Sequence, residues 1–190
     1  MLRHAKVLAM LVFTAGLSCV PATQIHAQAG NGAVPTRASM VLSIVVGIIN
    51  YTRWPRLGDS LRACLAGESE YFDRLRGLAS SVQNIIGIPV SFVAIQGPET
   101  LAAQCDLLYV GRVREYEVKK LFEHAAGQPI LSIGEGKDLC SQGGMFCLDL
   151  NVTDSREIGF SANLDTISRS KVRVNPQVLR LTSRLNKAAP

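Results

Sequence analysis

Histidine is nearly missing from this chain. Of its three, His4 and His26 fall in the first thirty residues, and His124 is the single imidazole beyond them. There is no CxxC pair and no GxSxG. A structural zinc site needs several Cys or His ligands at short spacing, and a hydroxyl nucleophile needs a base beside it. The chain supplies neither. His124 sits in FEHAAG, near the end of a helical stretch, where imidazole serves as a surface or capping residue. A phosphate loop is also absent. In GEGKDLCSQGG, Gly134 and Gly136 stand too close together and Lys137 is followed by Asp138, so the stretch reads as turn chemistry. Asp149, Asp154, Glu157 and Asp165 lack calcium-loop spacing. Low-complexity tracts and internal repeats are missing. The net charge of +5 is small and dispersed, which gives no case for nucleic acid. The expectation is a protein with no catalytic residue, no metal and no cofactor.

What is present begins with an export signal. Arg3 and Lys6 precede the apolar run Val7–Val20, and Ala27-Gln28-Ala29 is a small-x-small cleavage site, with Ile25-His26-Ala27 as a nearby alternative. The apolar run is shorter than the ~20 residues of a bilayer span. A lipobox around Cys19 would need a large aliphatic residue where Gly16 stands. The division expected is a signal peptide over 1–29, a flexible leader over 30–35 and one domain over 36–187. Removing residues 1–29 takes two basic residues and no acid, leaving a net charge of about +3.

Cysteine use fits export. Four remain after the signal: Cys64, Cys105, Cys140 and Cys147. In an oxidising compartment an even count suggests two disulfides, and four cysteines allow three pairings. Cys140 and Cys147 flank Gly143-Gly144 and form the natural local pair. Cys64 and Cys105 then remain for neighbouring strands to bring together. Four buried free thiols are the alternative.

Apolar periodicity gives the elements. Thr36 caps a helix whose apolar face is Val41, Ile44, Val45, Ile48 and Ile49, stopped at Trp54-Pro55. Strands are expected at Leu61–Ala66, Val90–Ile95, Asp106–Val110 and Pro129–Ile133. Helices are expected at Tyr71–Val82, Pro98–Gln104 and Val113–Ala126. The run Gly143–Asp165 supplies two further strands, Met145–Leu150 and Glu157–Ala162. Helical turns follow at Leu164–Ser170 and Pro176–Leu185. Alternating helices and strands followed by a hairpin predict a single α/β domain. Its sheet is mixed but mostly parallel, with helices on both faces and a C-terminal hairpin addition. In that hairpin Phe146, Leu148 and Leu150 share one face. Phe146, Glu157 and Leu164 are the candidate partner contacts at its rim, against the plainer reading that such residues are core.

Four motifs carry a family resemblance. Tyr51-Thr52-Arg53-Trp54-Pro55 is an aromatic-Thr-x-Trp-Pro motif. Cys105-Asp106-Leu107-Leu108-Tyr109-Val110-Gly111 follows. Pro129–Ile133 leads to Gly143-Gly144-Met145-Phe146. Last comes Ile158-Gly159-Phe160-Ser161-Ala162-Asn163-Leu164, with Val172-Arg173-Val174 and a Leu-rich end. In this order and spacing they resemble the YfiR family of small exported bacterial proteins. The resemblance implies the pairs Cys64–Cys105 and Cys140–Cys147, and a periplasmic repressor without catalytic activity. It implies two partners: the periplasmic part of an inner-membrane diguanylate cyclase, and an OmpA-like outer-membrane lipoprotein that sequesters the repressor. A homodimer, control of cyclic di-GMP and biofilm formation, and sensitivity to redox state follow from it too. A periplasmic small-ligand-binding α/β domain is the alternative function, since open sheets offer crevices at strand ends.

Overall fold

The protein is described by a computed structural model that covers residues 36–150 and 158–181. Helix α1 (Arg37–Asn50) starts where Thr36 accepts the Ser39 backbone N–H through its hydroxyl, at 3.2 Å. Its apolar stripe is fully buried: Val41, Ile44 and Ile48 are inaccessible to solvent. The helix ends at Asn50, earlier than Trp54-Pro55 suggests. Thr52 turns its hydroxyl back to the Ile48 carbonyl at 2.8 Å, and the chain passes into a two-residue strand, β1 (Thr52–Arg53).

The main sheet has six strands: β2 (Leu61–Ala66), β3 (Val90–Ile95), β4 (Leu107–Val110), β5 (Leu131–Glu135), β6 (Phe146–Asp149) and β7 (Gly159–Ala162). Their order is β3-β2-β4-β5-β6-β7. The first five are parallel, and β7 runs antiparallel to β6. The chain winds outward from β2 in both directions, a doubly wound arrangement. The expected α/β class, mostly parallel sheet and C-terminal hairpin are all present.

Helices α2 (Phe72–Gly77) and α3 (Ala79–Ile86) lie between β2 and β3. The single helix expected over Tyr71–Val82 is broken at Leu78, directly after Gly77, which favours a break because glycine is a poor helix former. A 3-10 turn (Pro98–Thr100) leads into α4 (Leu101–Gln104), and α5 (Glu115–Ala125) joins β4 to β5. The sheet separates two apolar cores. One joins α1, α2 and α3 to Leu61, Ala63, Leu65, Phe146 and Leu148. The other joins α4 and α5 to Cys64, Leu108, Val110 and Cys147. Alternate residues of β2 and β6 thus enter opposite cores, as the pleat requires. After β7 come α6 (Leu164–Arg169), β8 (Arg173–Val174) and a 3-10 turn (Pro176–Arg180). β8 pairs with β1, Thr52 opposite Val174. Among the described residues no helix is long and apolar enough to cross a membrane.

Candidate protein-binding surface

The motifs singled out in the sequence meet in space. The Trp54 indole N–H donates to the Asp106 carbonyl at 2.8 Å. Asp106, 6% exposed, takes a forked pair from Arg62: Nε to Oδ2 at 2.9 Å and Nη2 to Oδ1 at 2.8 Å. The Arg62 backbone N–H adds a third bond to Oδ2. Three donors compensate the desolvation of that carboxylate, and the hydrogen bonds to Asp106 push the Arg62 guanidinium pKa up. The bond Cys64–Cys105 ties β2 to the residue that ends α4, just ahead of β4, with Cα atoms 5.6 Å apart. Both half-cystines are buried, at 1% and 2% exposure.

The second bond, Cys140–Cys147, has a Cα separation of 5.7 Å. Cys140 ends a 3-10 turn (Lys137–Cys140), and Cys147 lies inside β6. The return between them needs glycine twice. Gly143 adopts φ +109°, and a Cβ on Gly144 would come within 3.0 Å of the Phe122 ring and 3.1 Å of the Leu139 carbonyl. Cys147 is wholly buried, but Cys140 is half-buried, so this bond has one sulfur side near solvent and Cys64–Cys105 has none.

Asn163 locks the loop to the hairpin. Its amide N–H donates to the Cys140 carbonyl at 2.7 Å, its backbone N–H to the Met145 carbonyl at 2.8 Å, and its Oδ1 caps α6 by accepting the Thr166 N–H at 3.0 Å. Sequence reading placed Asn163 in a motif but gave it no role. The cue available was an Asn directly before a short helical turn.

The three candidate contacts separate. Phe146 has no solvent exposure. It sits on β6, between β5 and β7, with its ring 6.0 Å from that of Phe160. It is core and does not reach the rim, because β6 is an interior strand with both faces covered. Leu164 opens α6 and is 63% exposed. Glu157 lies outside the described residues. The structure therefore brings half-buried Cys140 and Asn163 beside exposed Leu164, with Cys147 buried behind Cys140.

A second polar cluster lies at the carboxyl ends of β4 and β5. Glu135 Oε1 accepts from the Tyr109 hydroxyl at 2.8 Å and from the Ser69 hydroxyl. Burial pushes the Glu135 carboxyl up from its ordinary value, against the two hydrogen bonds that pull it down. Tyr109 is pushed up by its own burial, and burial lifts Tyr71 to about 12. Glu135, Ser69 and Tyr71 border a cavity of about 630 Å³ that also touches Arg37 and Arg112. The crevice usual at the winding reversal between β2 and β4 is bridged by main chain: the Arg112 N–H donates to the Glu68 carbonyl at 2.7 Å, and the Glu68 N–H to the Arg112 carbonyl at 3.1 Å.

A doubly wound α/β domain stapled by two disulfides, with its motif residues knitted together in the interior, is the class that fold and site define. Residues 38–183 match the YfiR/HmsC-like family, and the chain belongs to it. Membership suggests a periplasmic regulator of diguanylate cyclase and not an enzyme. The two disulfides fit that compartment.

Proposed function

We propose that this chain is a periplasmic negative regulator that binds and represses an inner-membrane diguanylate cyclase, lowering cyclic di-GMP and biofilm formation. Residues 1–29 are then the export signal, 30–35 a leader, and 36–187 the working domain. An OmpA-like outer-membrane lipoprotein is the second partner, and the active species is a homodimer. The observation that carries this reading is the family match across 38–183. The exposed corner at Leu164 supplies its candidate contact region. The half-buried Cys140 supports a division of labour, in which Cys64–Cys105 holds the fold and Cys140–Cys147 tunes the corner with redox state. Binding of the exported chain to the periplasmic part of the cyclase tests the reading. A Leu164→Asp chain that folds normally and binds more weakly supports the contact region, and undiminished binding removes it.

The small-ligand reading is favoured by one observation. A cavity of about 960 Å³ opens beside the bridged crevice, among Gly67, Gln96, Arg114 and Tyr116. A metabolite that raises the melting temperature in proportion to its concentration would support that reading.

A further inference from the structure

Residues 77–98 carry no charge, and no other stretch of the described residues is uncharged for as long. They build α3, the turn at Gly87 and β3. Of all these residues only Val82 is buried. Ile85 is 43% and Val93 46% exposed, so two of the five most exposed large apolar side chains lie here.

β3 is also an edge strand, hydrogen-bonded to β2 alone. In such a strand every second residue turns its N–H and C=O away from its neighbour. Among the described residues no backbone hydrogen bond takes up that outer edge. Edges are ordinarily blunted by a charged side chain, a proline or a bulge. The strand VSFVAI has no charge and no proline, and its register with β2 runs unbroken from Leu61 opposite Val90 to Ala66 opposite Ile95.

We propose that β3 is the seam of the homodimer, where two copies of Val90–Ile95 pair antiparallel about a two-fold axis and join the two sheets into one. The choice of a second copy follows from charge. A two-fold axis sets each residue near it against its own copy, so any charge there meets its like. Charged side chains of both signs are spread over the described residues on either side of 77–98, and a charge placed on the axis would face its own copy. The corner built by 77–98 has no charge to place there. A partner of opposite charge would be met by a charged patch, which this corner lacks. Main-chain bonds supply the register, and Val93 with Ile85 of the adjoining α3 supplies apolar area beside the ladder. The inference deepens the homodimer of the proposed function and stands apart from cyclase binding.

Sedimentation equilibrium of the exported chain tests it, beside Val93→Lys and Ser91→Lys. Both positions are exposed, so circular dichroism should match the wild type and each variant should still melt cooperatively, lower only by the stability that self-association adds. Should one variant fail to fold, the other decides. The wild type is expected to be a dimer, and each lysine should raise the dimer dissociation constant about tenfold or more. Leu179→Lys, at another exposed apolar site, should leave the dimer intact. A dimer undiminished by the β3 lysines overturns the proposal and leaves the regulator reading standing. A wild type monomeric across the accessible concentration range overturns it too. A monomeric wild type whose binding to the cyclase's periplasmic part is lost in Val93→Lys would assign the edge to a partner's strand, again overturning self-pairing.

Discussion

At the residue scale, Phe146 and Leu164 make a matched pair of opposites. Phe146 is wholly buried and Leu164 is 63% exposed. Phe146→Ala should cost about 3–4 kcal/mol in urea unfolding, since it empties a packed site. Leu164→Asp should move stability by about 0.5 kcal/mol or less while weakening partner binding. Equal stability costs would contradict the placement of these two side chains. Glu135 gives a pH dependence whose sign is fixed by burial. Its folded-state pKa lies above the ordinary 4.5, so the folded chain keeps a proton that the unfolded chain has already lost. The stability this provides is complete below the unfolded pKa and is lost as pH rises through the folded one. Glu135→Gln should flatten that fall when urea midpoints are measured upward from about pH 4. A wild type and variant with parallel profiles would contradict it.

At the element scale, the sequence was informative where one element had one buried stripe or one clean run. The i, i+3, i+4 recurrence in α1, the six residues of β2 and the run of β4 were legible because burial dictates residue type there. Strand order was not, because parallel strands buried on both faces read alike. β1 and β8 escaped notice because two residues carry no period. Phe146 was placed on the right face of its strand, but the alternation could not show that both faces of β6 are covered, which only its interior position decides. Both disulfide pairs formed as spacing and resemblance suggested. They close loops of different length and lie at different depth. Cys64→Ser/Cys105→Ser should cost about 3–4 kcal/mol, and Cys140→Ser/Cys147→Ser less, on a loop-entropy basis. Denaturant melts of the two double variants check this. A larger loss from the Cys140 pair would reverse the assignment of the structural and tuning bonds.

At the scale of the whole molecule, the two cores fix one rigid sheet, and the surface features fall at its opposite ends. The disulfide loop, Asn163 and Leu164 lie towards the β7 edge, and the uncharged corner lies at the β3 edge. A regulator built this way can pair with its own copy at one edge and meet a different protein at the other, with no competition between the two. Loss of the β3 seam should therefore lower apparent affinity for a dimeric partner through lost avidity, while the single-site contact at Leu164 persists. The central claim, repression of a cyclase, is tested most directly by cyclic di-GMP levels in cells that carry the cyclase, with and without this protein. The account predicts that cyclic di-GMP rises on deletion, stays low when the cyclase is deleted as well, and falls again on complementation. Unchanged cyclic di-GMP on deletion in cells that carry the cyclase would contradict it.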